Sequence, residues 1–181
     1  PFYAAGVELL HLASLIHDDV IDEAPIRRKQ PAAYRMLGRK MAVLTGDFIS
    51  VRVLKEVEKK GVPEILRDYL HCTAEMVEGE VRQTLEGVRQ DLTEEEYLGF
   101  IEAKTSSLFV LAARTGSLLS GRDTAAAESF GRYFGAAFQI ADDVQDFTAE
   151  PHVSGKEPFT DARNGIMTLP LIHFVRQGGQ Q

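Results

Sequence analysis

The chain has 181 residues, of which 44% are hydrophobic and 26% charged, as in a globular domain large enough to bury a core. Its formal net charge of −7 argues against a nucleic-acid partner. The single cysteine, Cys72, cannot form an internal disulfide and suits the reducing cytoplasm. Apolar runs stay far below the roughly 20 residues of a membrane-spanning helix. We therefore expect a single cytoplasmic domain over residues 1–181, without a transmembrane segment.

The first half of the chain has the apolar spacing of helices. Apolar side chains recur three and four residues apart over 3–23, which predicts a first helix. A second helix is predicted over 34–60 and ends at Gly61. Pro63 suits the first turn of a third helix, which runs to about residue 89.

The second half continues the helical pattern. Thr93 and Glu96 have the spacing of a capping box, which predicts a fourth helix running to about residue 119. Gly121 ends that helix, and Asp123 is the expected cap of a fifth helix over 123–147.

The C-terminal residues predict a loop followed by a short helix. Residues 149–165 contain two prolines and two glycines, and the last helix begins near 168–170. Alternation typical of strands is absent, so the predicted class is all-α, with an antiparallel helix bundle. Five phenylalanines are expected in its core: Phe100, Phe109, Phe130, Phe134 and Phe138.

The first helix ends in the acidic segment HDDVIDEAPIRR. Asp18 and Asp22 lie one helical turn apart on one face, with Asp19 to the side. Two carboxylates on a largely apolar helix are costly unless a cation compensates them, and oxygen ligands favour Mg²⁺. Arg27 and Arg28 could then bind phosphate oxygens. The segment by itself is equally compatible with a solvated helix end.

The same D-D-x-x-D spacing recurs in FQIADDVQDF, with Asp142, Asp143 and Asp146. Gln139 lies three residues before Asp142, on the same helix face. Two copies on separate helices, both within apolar segments, are poorly explained as solvated patches. The pair of motifs therefore predicts a site that holds a diphosphate through Mg²⁺.

In their order and combination, the motifs resemble those of the trans-isoprenyl diphosphate synthases, the polyprenyl synthetase family. ELLHLASLIHDDVIDEAPIRR and FQIADDVQDF resemble its two aspartate-rich motifs, and AVLTGDF, EMVEGEVRQ and IEAKTSSLF resemble the signatures between them. The resemblance implies an all-α fold around a central cavity. It also implies a Mg²⁺-dependent homodimer that condenses isopentenyl diphosphate with an allylic diphosphate. Family members have helices before residue 1 and after residue 181, so a core portion truncated at both ends is expected.

The motif positions imply a role for each candidate site residue. The Mg²⁺ ligands would be Asp18, Asp22, Asp142 and Asp146. The allylic diphosphate would contact Arg27, Lys104, Thr105, Gln139 and Lys156. Isopentenyl diphosphate would contact His11 and Arg28. The residues predicted to be catalytic are Lys104, Asp142 and Asp143.

Product length is predicted from the residues four and five positions before Asp18, which are Ser14 and Ala13. In the family, bulky aromatic residues there favour short products. The small residues of this chain imply an all-trans polyprenyl diphosphate longer than fifteen carbons.

Two alternatives stay open at this point. A class I terpene cyclase would carry a different second metal motif, and the second D-D-x-x-D together with the absence of tryptophan disfavours it. A noncatalytic or inactive subunit should have lost aspartates or arginines, and both motifs keep theirs. The feature that favours such a subunit is Ile166, which stands where the family usually has lysine.

Overall fold

The computed structural model describes residues 1–148 and 159–178. Over these ranges the protein is all-α, as predicted, apart from an antiparallel pair of two-residue strands, β1 (Ile26–Arg27) and β2 (Gln30–Pro31). The helices are α1 (Phe2–Ile21), α2 (Ala33–Leu37), α3 (Arg39–Glu58), α4 (Pro63–Glu86), α5 (Glu94–Ile101), a π-helical segment (Glu102–Ser106), α6 (Ser107–Leu119), α7 (Thr124–Thr148), α8 (Thr160–Arg163) and α9 (Leu169–Arg176). None of the helices in the described ranges is long and apolar enough to cross a membrane.

The chain divides into two compact units within α4, an N-terminal unit (Pro1–Thr73) and a C-terminal unit (Ala74–Gln181). In the N-terminal unit α1 packs against α3. Gly46 on α3 leaves room for the His17 ring of α1, which a Cβ there would contact. The fully buried Tyr69 donates a hydrogen bond to the backbone oxygen of Tyr3.

The C-terminal unit is built around the pair α6 and α7. Gly131 and Gly135, one turn apart on α7, lie against backbone atoms of Val110 and Ser106, so a Cβ at either glycine would be closer than 3.0 Å to them. A cluster of buried side chains joins α5 to α9, and its members are Leu92, Tyr97, Phe100, Ile101, Met167 and Ile172.

Several predicted boundaries are confirmed. Helix α4 begins at Pro63, and α5 begins with the reciprocal capping box of Thr93 and Glu96. The Asp123 carboxylate accepts a hydrogen bond from the backbone N–H of Ala125 at the start of α7.

Other boundaries differ from the prediction. The helix expected over 34–60 is divided at Gly38, whose φ of +82° ends α2 before α3 begins. The helix expected from Thr93 to residue 119 is interrupted by the π-helical segment. Part of the loop expected over 149–165 forms the single turn of α8.

The expectation that five phenylalanines lie in the core was wrong for three of them. Phe100 is buried, but Phe130, Phe134 and Phe138 on α7 are about half exposed or more. Phe109 packs its ring against Phe134 and Phe138. The 3.6-residue period placed these side chains on one helix face but could not tell which face is covered.

Candidate active site

The first aspartate motif lies at the C-terminal end of α1. Asp18 is half-buried, and Asp22, the residue that ends the helix, is exposed. Asp19, between them in sequence, is only 3% exposed. The motif therefore leaves its first and last aspartates accessible to solvent and buries its second aspartate in the N-terminal unit.

Asp19 is paired with Arg27. One carboxylate oxygen, Oδ1, accepts a hydrogen bond from Nε of Arg27 at 2.8 Å and lies 2.7 Å from Nη2 in an ion pair. Arg27 lies on β1, and the turn after it places Arg28 and Lys29 in the left-handed region, with φ of 51° and 64°. A buried carboxylate requires such a partner, so the ion pair fixes the arginine segment next to the end of α1.

His11 lies about two turns before Asp18 on α1 and is half-buried. Burial lowers the pKa of its imidazole, the charges of Arg28 and Arg27 lower it further, and Glu8 opposes them. His11 thus lies within the electrostatic reach of both arginines. Of the two residues predicted to set product length, Ala13 is buried and Ser14 donates a hydrogen bond to the backbone oxygen of His11.

The second aspartate motif, on α7, repeats the arrangement of the first. Asp142 is exposed and Asp146 is half-buried, whereas Asp143 is only 5% exposed. Asp146 accepts a hydrogen bond at its Oδ2 from the backbone N–H of Asp161, 3.2 Å away at α8. In both motifs, the second aspartate is thus the one held inside its unit.

Asp143 accepts two hydrogen bonds from neighbouring side chains. The hydroxyl of Tyr97 lies 2.6 Å from Oδ2, and Nε2 of Gln139 lies 2.8 Å from Oδ1. The hydroxyl of Thr105, in the π-helical segment, donates to Oε1 of Gln139 at 2.8 Å. Burial raises the pKa of Asp143, although the bonds from Tyr97 and Gln139 act in the opposite direction. Burial also raises the pKa of Tyr97, which therefore stays a donor.

Lys104 is presented by the π-helical segment toward α4. Its Nζ lies 3.0 Å from Oε1 of Gln83 and forms an ion pair with Glu80. Gly79 permits the approach, because a Cβ there would lie 2.7 Å from the backbone nitrogen of Lys104. A π-helical turn shifts the side chains that follow it around the helix axis, and such turns are frequent at functional sites.

Comparison with known proteins places this geometry in a family. A family model described as polyprenyl synthetase matches residues 2–181. The chain belongs to the polyprenyl synthetase family. It is 39% identical over 179 residues to the nonaprenyl diphosphate synthase of Mycobacterium tuberculosis, covering 97% of this chain and 53% of that protein. It is 38% identical over 181 residues to the octaprenyl diphosphate synthase of Haemophilus influenzae, covering 98% and 55%.

A solved structure shares the fold of this chain. It is a polyprenyl synthase from Caulobacter crescentus CB15, complexed with calcium and isoprenyl diphosphate. It superposes with a TM-score of 0.92 at 34% identity, covering 98% of this chain and 55% of that chain. The chain thus spans about half the length of the relatives that it matches.

The structure brings many of the predicted site residues together within each unit. In the N-terminal unit, Arg27 bonds to the first motif at Asp19, and the charges of Arg27 and Arg28 act on His11. In the C-terminal unit, Thr105, Gln139 and Asp143 form one hydrogen-bonded chain. The remaining predicted residues of the motifs lie on the same helices, and Lys156 lies outside the described residues.

The carboxylates suit a metal that is shared with a ligand. Among residues 1–148 and 159–178, no three carboxylate, imidazole or thiolate groups are gathered closely enough to hold a metal by themselves. Mg²⁺ normally takes one or two protein carboxylates and completes its shell with water and phosphate oxygens. Each motif has two carboxylates that are accessible to solvent, and these fit that chemistry.

Sequence reasoning missed three residues of the site. It placed Asp19 to the side of Asp18 and Asp22 without a role, and it did not single out Tyr97 or Glu80. One signal was available: Tyr97 directly follows the capping box, so its place on the first turn of α5 was fixed. Its contact with Asp143, 46 residues later, is tertiary and has no local pattern.

Proposed function

We propose that this chain carries the catalytic residues of a Mg²⁺-dependent trans-polyprenyl diphosphate synthase. The enzyme would condense isopentenyl diphosphate with an allylic diphosphate and release an all-trans product longer than fifteen carbons. The observation that supports this proposal is the burial pattern that both motifs share, in which the second aspartate is buried and the first and last aspartates stay accessible to solvent. Two relatives, named as nonaprenyl and octaprenyl diphosphate synthases, support a long product.

The metal ligands proposed are the solvent-accessible carboxylates of the two motifs. These are Asp18 and Asp22 in the N-terminal unit and Asp142 and Asp146 in the C-terminal unit. When bound, Mg²⁺ would neutralise the charge of the leaving diphosphate. The calcium and isoprenyl diphosphate in the Caulobacter crescentus relative support a site for a divalent cation and a diphosphate.

The allylic diphosphate would be held by Arg27, Lys104 and Gln139, with further contacts from Thr105 and Lys156. Arg27 and Lys104 supply positive charge that is already oriented by Asp19 and by Glu80 and Gln83. A contact from Thr105 requires its hydroxyl hydrogen to turn from Gln139 to the phosphate. Preorganised donors of this kind stabilise charge as it develops, without reorganisation during the reaction.

Isopentenyl diphosphate would be held by Arg28 and His11. The lowered pKa of His11 keeps its imidazole neutral at neutral pH, so it would act as a hydrogen-bond donor beside the positively charged Arg28. Both residues lie in the N-terminal unit with the first aspartate motif.

The chemistry follows from these contacts. The bond between the allylic carbon and the diphosphate oxygen breaks, and the released diphosphate keeps the electron pair while Lys104 and Arg27 balance its charge. The double bond of isopentenyl diphosphate then donates its electrons to the allylic carbon, and a new carbon–carbon bond forms. Loss of a proton to the released diphosphate restores a double bond. Neither a nucleophilic side chain nor a covalent intermediate is needed.

Product length would be set along α1. Ala13 and Ser14 precede Asp18 by about one turn, or about 5.4 Å, which is close to the length of one isoprene unit. Their small side chains leave room for a growing tail. We further propose that the active protein is a homodimer, as the family resemblance implies.

The test is product analysis with Mg²⁺, labelled isopentenyl diphosphate and farnesyl diphosphate. It uses the 181-residue chain and a version completed with the flanking segments of the Haemophilus influenzae relative, because the chain spans 55% of that protein. The expected result is a Mg²⁺-dependent series of longer prenyl diphosphates. Absence of elongation in both proteins would overturn the proposal and favour a noncatalytic subunit.

Matched variants distinguish the loss of a metal ligand from a nonspecific effect of removing a carboxylate charge. Asp18→Asn and Asp142→Asn should each reduce turnover by about a hundredfold or more, because each removes a charge from the metal site. The control Glu58→Gln neutralises an exposed carboxylate of α3 outside the motifs and should leave turnover unchanged. Equal effects of all three substitutions would contradict the metal assignment.

A further inference from the structure

Three hydrogen bonds join α5, the π-helical segment and α7 in the C-terminal unit. Tyr97 donates to Oδ2 of Asp143 at 2.6 Å, Gln139 donates to Oδ1 at 2.8 Å, and Thr105 donates to Oε1 of Gln139 at 2.8 Å. Tyr97 and Asp143 are 2% and 5% exposed, whereas Gln139 and Thr105 are half-buried. The three hydrogen bonds therefore connect the buried Tyr97 and Asp143 to the partly exposed Gln139 and Thr105.

The donors and acceptors fix the direction of these three hydrogen bonds. A carboxylate can only accept, so the NH₂ group of Gln139 must face Asp143 and its carbonyl must face Thr105. Before a phosphate binds, both ends of the amide are engaged, and it cannot flip without losing two hydrogen bonds. Asp143 uses one of the two N–H groups of Gln139, and the other remains to donate to an anion.

Tyr97 is fixed both by its position on α5 and by the side chains around its ring. The capping box of Thr93 and Glu96 fixes the first turn of α5 directly before it. Its ring packs in the buried cluster with Phe100 and Ile172. A phenol in such surroundings needs a partner for its hydroxyl, and Asp143 is that partner.

We propose that Tyr97 is a positioning residue of the diphosphate site, which fixes the Asp143 carboxylate and through it the orientation of Gln139. Without the Tyr97 hydroxyl, Asp143 would keep one fixed oxygen instead of two. The carboxylate could then rotate, and the N–H that Gln139 presents to the diphosphate would no longer be aimed. The proposal rests on the function proposed above, in which Gln139 binds the allylic diphosphate.

The test compares Tyr97→Phe with Gln139→Ala and with the double variant. Tyr97→Phe should raise the KM for farnesyl diphosphate about tenfold, the effect of losing one hydrogen bond to a charged group, and leave the KM for isopentenyl diphosphate unchanged. In the Gln139→Ala background the same substitution should have no further effect. Calorimetric titration of farnesyl diphosphate with Mg²⁺ should show the same tenfold change in Kd, independently of turnover.

Tyr69→Phe is the matched control, because it also removes a buried tyrosine hydroxyl that donates to one partner, Tyr3 in the N-terminal unit. It should lower the urea midpoint and leave both KM values unchanged. If Tyr97→Phe behaves in the same way, or if its effect adds fully to that of Gln139→Ala, the positioning role is wrong. If the wild-type protein neither elongates nor binds farnesyl diphosphate, the proposed function fails first and this inference fails with it.

Discussion

Replacing Gly135 with alanine should force α7 away from the π-helical segment. The new Cβ would lie 2.5 Å from Cα of Ser106 and 2.9 Å from its Cβ, and Ser106 is fully buried. Ordinary van der Waals contact begins at 3.4 Å, so the backbones would have to separate by about 0.9 Å. The obstacle is backbone rather than the flexible end of a side chain, so it cannot move aside cheaply.

Two opposing terms set the size of the effect. Overpacking of a close-packed contact costs about 1–3 kcal/mol, whereas alanine gains about 1 kcal/mol over glycine in a helix. We therefore expect a net loss of up to about 2 kcal/mol in the free energy of unfolding. The same displacement would lengthen the 2.8 Å bond between Thr105, the neighbour of Ser106, and Gln139 beyond hydrogen-bonding distance, so turnover should also fall.

Gly116→Ala on α6 is the control, because within residues 1–148 and 159–178 no atom beyond its own helix backbone and chain neighbours lies within 4 Å of the new Cβ. It should stabilise the protein by up to about 1 kcal/mol through helix propensity alone. Urea denaturation of both variants, followed by far-ultraviolet circular dichroism, measures the difference. If Gly135→Ala is as stable as Gly116→Ala, the close contact between α7 and the π-helical segment is not real.

Three further predictions concern the N-terminal unit. Asp19→Asn should lower the free energy of unfolding by about 1 kcal/mol and weaken binding of the allylic diphosphate, because Arg27 loses its charged partner. The control Glu23→Gln, in an exposed ion pair, should change neither the urea midpoint nor binding. Because the pKa of His11 is lowered in the folded chain, the unfolded chain binds the proton more readily. The free energy of unfolding should therefore fall as pH drops from about 7.5 to about 5.5, and it should fall less in His11→Gln. Ser14→Phe should shorten the product in a chain-length assay, and an unchanged product would remove the role proposed for this position.

Much of the fold could be read from local signals. Pro63 and the capping box of Thr93 and Glu96 act through backbone conformation and neighbouring N–H groups, so their meaning does not depend on distant residues. The division at Gly38 was equally local, because glycine tolerates its positive φ, but glycine also occurs inside helices and the residue alone does not mark a break.

The π-helical segment could not be predicted in this way. Its residues, Glu102–Ser106, have ordinary helix propensity, and the extra residue in the turn is accommodated by contacts with other helices. Gly79 and Gly135 allow two of those contacts, one with Lys104 and one with Ser106. Spacing along the chain does not indicate which backbone will approach a glycine.

The sequence by itself determined the all-α class and the two aspartate motifs, because helical period and the four-residue spacing of carboxylates are properties of a single helix. Only the tertiary structure decided which aspartate of each motif turns inward. Asp19 and Asp143 are both second in their motifs. Asp19 is paired with Arg27 in the hairpin that follows α1, whereas Asp143 accepts from Gln139 one turn earlier on α7 and from Tyr97 on α5. A buried carboxylate is stable only where such donors converge, and that convergence exists only once the helices have packed.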